Sequence, residues 1–316
     1  MLNIEAEILM KKSLIALAVA GALTAPMVAQ ADATLYGSLR IKLVDNDANG
    51  TDVVDNSSRI GIKASTELNS GVTALVRFET YVSTETGALG TPNKGRLAYI
   101  GATGDFGTVT AGRQWTPQYL WTSGKVDLLD HGSNPTHSYS IAGRQGNTLA
   151  YITPDMGGFQ AAAVLVARDG AGVDLGDTGD DADAYNLAAH FSAGGFSVGL
   201  STLMYQGAID ENYTSVAASY TMGDLYVAAE ATSDSVSKKV DASINDDVDT
   251  FEVAGSYALG DVKLLANFVS FDKGEQVGLE AQYKLGAKSR VAATVVTADD
   301  DAPVSDSVAV SWRVDF

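Results

Sequence analysis

The chain has 316 residues, 46% of them hydrophobic, with 32 glycines, no cysteine and a formal charge of -18. Without cysteine there is no disulfide framework and no thiolate metal or redox site, and so acidic a surface repels nucleic acid. With three histidines and neither a G-x-S-x-G elbow nor an H-E-x-x-H pair, the sequence offers no enzyme constellation and implies no cofactor.

At the N-terminus, Met10-Lys11-Lys12, the apolar run Ser13 to Leu23 and Ala29-Gln30-Ala31 follow the order of a secretory signal peptide. Residues 1–31 are therefore expected to be a leader cleaved after Ala31, and residues 32–316 the mature domain. Residues 1–9, with Glu5 and Glu7, read as an upstream start. The apolar run is too short to cross a bilayer as a helix.

From Thr34 onward the recurring feature is alternation of apolar and polar residues. "TLYGSLRIKLV", "FSVGLS", "FEVAGSY", "VKLLANF" and "VGLEAQYK" all show the period of two that marks strands. In the closing "SVAVSWRVDF", Val308, Val310, Trp312, Val314 and Phe316 share one face, and Ser307, Ala309, Ser311, Arg313 and Asp315 the other.

Seven short glycine-containing turns fall at residues 69–71, 104–107, 155–158, 192–195, 222–224, 259–261 and 285–287. They alternate with eight longer, mostly acidic connections: Asp45–Asn56, Ser83–Lys94, Gln114–Gly143, Arg168–Asp183, Gln206–Asn212, Ser233–Asp247, Asp272–Gly274 and Asp299–Ser305. Fifteen connections imply an all-β fold of sixteen antiparallel strands, closed as a transmembrane β-barrel with turns at one end and loops at the other. The apolar rows would then meet lipid, the polar rows a water-filled lumen, and the last strand would pair with the first. A large soluble β-sandwich or β-helix alternates equally well, as would a secreted β-rich adhesin or structural protein; the leader and the turn/loop asymmetry separate them from a barrel.

Gln114 to Gly143 is about twice the length at which structureless loops become uncommon. It carries Trp115, Tyr119, Trp121, Leu128 and Leu129, which folding inward would bury, together with Asp127 and Asp130. Strand parity places Arg59 and Lys63 of "SSRIGIK" and Arg77 of "VTALVRFE" on the lumen face, while Arg113 and Arg144 flank the long loop. Asp45, Asp47 and Asn49 open like a calcium loop, but the twelfth position is Asn56 where a bidentate Glu belongs. An acidic loop tip or a weak divalent site both remain open.

"TLYGSLRI", "SSRIGIKASTELNSGVTALVRFET", "RLAYIGATGDFGTVTAGRQWTPQY", "NTLAYITPDMGGFQAAAVLV" and the terminal Phe316 resemble the general-diffusion porins of Gram-negative outer membranes. The resemblance implies a homotrimer of sixteen-stranded barrels, each with its third extracellular loop folded into the pore, set in outer-membrane lipid and lipopolysaccharide and passing small hydrophilic solutes and ions. It makes Phe316 a signal for the barrel-assembly machinery. It matches Arg59, Arg113 and Arg144 to the family's constriction arginines, with Arg40, Arg77 and Arg96 as further wall bases and Asp127 and Asp130 opposite. The loop here reads "LDHGSN" where the enterobacterial version has a Pro-Glu-Phe-Gly-Gly run. A substrate-selective porin with a binding track is the alternative within the same fold.

Overall fold

The computed structural model describes residues 32–47, 50–68, 71–90, 95–132, 143–167, 182–207, 209–240 and 247–316. The leader expected over residues 1–31, Asn49 of the candidate cation loop and His137 lie outside the described residues.

The described chain forms one sheet of eighteen strand segments. Residues 56–58 interrupt one strand and residues 146–147 another, so the segments amount to sixteen strands. In chain order these are β1 (Asp32–Asn46), β2 (Gly50–Asp55 and Arg59–Glu67), β3 (Thr73–Tyr81), β4 (Leu97–Gly104) and β5 (Gly107–Trp115). They continue as β6 (Arg144–Gln145 and Thr148–Ile152), β7 (Phe159–Ala167), β8 (Ala182–Ala193), β9 (Phe196–Tyr205), β10 (Asn212–Met222) and β11 (Leu225–Asp234). The last five are β12 (Thr250–Leu259), β13 (Val262–Ser270), β14 (Glu275–Gly286), β15 (Ser289–Ala298) and β16 (Ser307–Asp315). Every strand pairs antiparallel with its chain neighbours, and β1 pairs with β16 from Ser38↔Asp315 to Asn46↔Ser307, which closes the sheet into a barrel. Among the described residues no helix is long and apolar enough to cross a membrane; a barrel crosses with its strands.

Closure gives each row of side chains a definite side. On β16, Val308, Val310 and Trp312 are more than half exposed, whereas Ala309 and Ser311 are 1% and 4% exposed. Leu187, Leu200, Val253, Leu264 and Leu279 on other strands are likewise exposed, and Asn186, Ser201, Glu252, Leu265 and Glu280 beside them are buried. An apolar row turned outward and a polar row turned inward is the reverse of a soluble core, and it fits a wall between lipid and water.

The connection expected over Asp45–Asn56 is largely strand. Residues 41–46 pair with β16 on one side, so they are part of the barrel wall, and on the other side with residues 50–55 as the hairpin that joins β1 to β2. Its acidic residues read as loop, but Val44, Val53 and Val54 give it enough β-branched character to extend the ladder. Asp45 consequently sits within β1, where its Oδ1 accepts from the hydroxyl of Thr51 at 2.6 Å, so it does not begin a calcium loop.

The chain terminus is tied into the wall. Phe316 N donates to the Gly37 carbonyl at 3.1 Å, Gly37 N donates to the Phe316 carbonyl at 3.2 Å, and the Phe316 ring covers Gly37. A Cβ at Gly37 would fall inside that ring. Gly37→Val should therefore expel the ring and weaken closure, at a cost of about 1–3 kcal/mol by overpacking. The check is the melting temperature of the heat-modifiable folded barrel in detergent, which should fall.

Candidate functional site

The connection between β5 and β6 begins with a short helix, α1 (Pro117–Trp121), followed by a single 3-10 turn at Ser123–Lys125. Thr116 caps α1 by accepting from Tyr119 N, and Pro117 occupies the first turn, where its missing N–H costs nothing. From there the segment packs against inward-facing residues of one strand after another.

Gln118 N donates to Asn186 Oδ1 on β8, the Ser215 hydroxyl on β10 donates to Thr122 Oγ1, and the Ser123 hydroxyl donates to Glu230 Oε1 on β11. Tyr226 donates to the Lys125 carbonyl, and Val126 packs on Ala228 and Ala254. Farther along, Asp130 N donates to Glu280 Oε2 on β14, and Arg290 on β15 closes a two-pronged ion pair on the Asp130 carboxylate. Asn56 Nδ2 donates to the Asp130 carbonyl, which ties the segment to the break in β2. The Trp121 carbonyl lies against Gly199 on β9, where a Cβ would collide with it. The inward face of the barrel thus holds the described part of this connection, residues 116–132.

Between residues 127–132 and the facing wall lies a cavity of about 790 Å³. Its wall carries Arg290, Arg313, Arg40, Arg59, Arg96 and Arg144, with Lys42 beside Arg40. Register places Arg40 opposite Arg313 and Arg313 opposite Arg290. Arg59 is within Coulombic reach of Arg313 and Arg96, and Arg144 of Arg96. The six guanidiniums therefore form a continuous arc over strands β15, β16, β1 and β2 and on to the starts of β4 and β6.

The arc is partly neutralised by carboxylates. Arg290 pairs with Asp130, Arg313 with Asp315, and Arg96 with Glu79, which is itself buried. Among the described residues Arg40, Arg59 and Arg144 have no such ion pair. Arg40 donates to Ser38, and Arg144 donates to Tyr81 while lying over the Trp115 ring at 4.2 Å. Trp115 stacks on Tyr119 at 3.9 Å, and the Tyr119 hydroxyl donates to Asp127 at 2.8 Å. Burial and then the Asp127 charge push the Tyr119 phenol well up, so it keeps the proton it donates. Asp127 lines the same cavity as Arg40, Arg59 and Arg144.

The structure thus brings Arg59, Arg144, Arg40, Arg96, Asp127 and Asp130 to one cavity. Arg113, Arg77 and Lys63 do not line it. Arg113 donates to the Gly95 carbonyl and stands within Coulombic reach of Arg144, beside the arc but outside the cavity lining. Arg77 and Lys63 are inward register partners four positions below Tyr81 and Arg59, or about 13 Å toward the short-turn end. There Arg77 donates to Tyr36 and lies 3.7 Å from Glu79. Arg290, Arg313 and Lys42 complete the wall without having been singled out, although "SRVAATVV", "SWRVDF" and "LRIKLV" each put them on the polar parity. Among the described residues no group of three or more His, Cys, Asp or Glu side chains could hold a metal ion.

A closed barrel with an apolar exterior and an arginine-lined, loop-narrowed interior defines an integral outer-membrane β-barrel with an aqueous lumen. The chain belongs to the Gram-negative porin family, whose model matches residues 16–303. It is 29% identical over 210 residues to the major outer membrane protein P.IB of Neisseria lactamica, covering 59% of this chain and 57% of the relative. A Neisseria meningitidis serogroup B protein of the same description is 29% identical over 223 residues, or 64% and 62% of the two chains. The chain spans less than two thirds of the length of these relatives. Among solved structures, an anion-selective porin from Comamonas acidovorans superposes with a TM-score of 0.73 at 17% identity, covering 91% of this chain and 100% of that one. OmpT of Vibrio cholerae in its trimer form gives 0.69 at 19% identity, covering 90% and 99%. At these identities the structural likeness establishes the fold.

Two outcomes follow from the docking geometry. Gly199→Val should displace the Trp121 carbonyl and with it the start of the loop, changing single-channel conductance while leaving the heat-modifiable barrel intact. At the far end, Lys42 Nζ donates to His131 Nδ1 at 3.1 Å, so His131 offers its Nε2–H to Ser307, also at 3.1 Å. Burial and the neighbouring Lys42 charge push His131 down to about 4, against about 6.5 for a free histidine. A base held below its free value favours docking above pH 6.5 and loses that contribution as the pH falls toward 4. Current fluctuations should rise over that window, and His131→Gln, which keeps both hydrogen bonds without titrating, should abolish the rise.

Proposed function

We propose that the barrel is a water-filled channel through which small hydrophilic solutes and ions diffuse passively across the outer membrane, and that the cavity between the arginine arc and Asp127 is its narrowest point. The observation that carries this reading is the arc itself. Six guanidiniums on the wall face a loop bearing carboxylates, inside a wall whose exterior is apolar. Opposed rows of fixed charge set a transverse field across an aqueous gap, which polar solutes cross readily and apolar ones cross only by displacing ordered water. Guanidinium suits the wall because it stays ionised beside its neighbours.

The solved neighbour OmpT of Vibrio cholerae has a trimer form, and the outward apolar rows give this chain a surface for two further copies and for lipid. Phe316, held on the outward face over Gly37, is available to the assembly machinery as a terminal aromatic signal.

The overall charge of -18 and the cavity charge oppose each other. At physiological salt the Debye length is about 8 Å, so distant loop acids are screened much more strongly than charges at the narrowest gap. Arg40, Arg59 and Arg144, which have no carboxylate partner among the described residues, should then dominate selectivity. Each contributes about 0.4 kcal/mol on an ion at 10 Å in water, cut by screening to about 0.1. Changing all three to Ser should therefore raise the cation-to-anion permeability ratio by about threefold, read from reversal potentials across a salt gradient in planar bilayers. A ratio unchanged from the parent at every salt concentration would remove these arginines from the constriction. A saturable block by one solute would point instead to a binding track.

A further inference from the structure

Opposite charges around a water-filled gap attract, so a constriction built from them needs something to keep them apart. Three carboxylates beside the arc have already closed on it: Asp130 on Arg290, Asp315 on Arg313 and Glu79 on Arg96. Among the described residues Asp127 joins no ion pair, although it lines the same cavity as Arg40, Arg59 and Arg144. A carboxylate among guanidiniums gains by forming a charge-assisted, two-pronged contact with one of them. Something holds this one back.

The restraint is a column of four side chains. Trp115 at the end of β5 and Arg144 at the start of β6 are register partners, and partners directly opposite on neighbouring strands touch. The Arg144 guanidinium lies over the indole at 4.2 Å, a cation–π contact that holds its plane. Tyr119 of α1 stacks on the same indole at 3.9 Å with the planes 15° apart, and two groups so close to one ring must take opposite faces of it. The Tyr119 hydroxyl then donates to Asp127 Oδ2 at 2.8 Å. The backbone brings that carboxylate within range, since Asp127 N donates to the Ser123 carbonyl at 3.1 Å in the turn that follows α1. The column therefore runs Arg144, Trp115, Tyr119, Asp127, with a positive end and a negative end.

We propose that Trp115 and Tyr119 are the spacer that keeps the constriction's two signs of charge apart. The proposal rests on the channel reading and names the positioning residues of that same site. Arg144 and Arg59 both lie within Coulombic reach of the Tyr119 hydroxyl, so an Asp127 released from it has guanidiniums to turn to. An ion pair formed there would bridge the gap that solutes use. Two aromatic planes suit the task because each has few torsions and neither carries charge. The phenol ends the column with one neutral donor, which satisfies a carboxylate oxygen and leaves its charge in the gap. A guanidinium in its place would cancel that charge.

Tyr119→Phe tests this most directly, because it keeps the stack and removes only the hydroxyl. In planar bilayers its single-channel conductance should fall below the parent's, as the freed carboxylate bridges the gap. Tyr119→Phe combined with Asp127→Asn should conduct and select as Asp127→Asn alone, because the effect passes through that carboxylate. Trp115→Leu removes the plate that also supports Arg144, so it should shift the reversal potential even beside Asp127→Asn. The heat-modifiable band reports folding, and the Tyr119→Phe cycle decides should Trp115→Leu fold poorly. A Tyr119→Phe channel with the parent's conductance and reversal potential overturns the proposal. So does one whose conductance drops by the same factor with and without Asp127, or a Trp115→Leu shift that is absent beside Asp127→Asn. A parent barrel that passes no current would overturn the channel reading itself, and the spacer with it.

Discussion

In hydrocarbon no water is available to pair with a peptide group, so every backbone N–H and C=O of a spanning segment must find its partner within the protein. The nine register pairs between β1 and β16 meet that requirement at the one place where chain order does not supply a neighbour. Everything else about the wall follows from this closure. Once the sheet has no edge, each strand has one face to lipid and one to the lumen, and a period of two in the sequence becomes a separation of apolar outside from polar inside. Closure also creates the arginine row. Arg40, Arg313 and Arg290 are neighbours only because the first strand lies beside the last.

A lumen wide enough for water would not focus charge by itself; the loop makes it narrow. Its hold on the wall is polar, through Asn186, Ser215, Glu230 and Glu280, and it needs missing side chains as much as present ones. At Gly199 the wall admits the Trp121 carbonyl, and at Gly278 it admits Leu129, whose Cδ2 lies 2.7 Å from where a Cβ would stand. Three of the six arginines are tied back to Asp130, Asp315 and Glu79, which limits their mutual repulsion without removing the net positive field. Asp130 has two tasks, since it pairs with Arg290 and its backbone anchors the loop to Glu280 and Asn56.

Much of this was legible because it repeats. Strand number, barrel closure and the special length of the β5–β6 connection are carried by patterns that recur many times, so no single irregularity hides them. The site was less legible because it depends on single residues and on register. Arg113 follows Gly112, which has φ 118°, in a segment where counting along the strand does not reveal which face is inward; Arg96 precedes its strand, where alternation gives no parity at all. Arg290 and Arg313 lie on readable parity, yet their membership in one row with Arg40 appears only when the closing register is known. The hairpin over residues 41–55 was obscured by its acids, because a loop and an acidic strand end look alike in sequence.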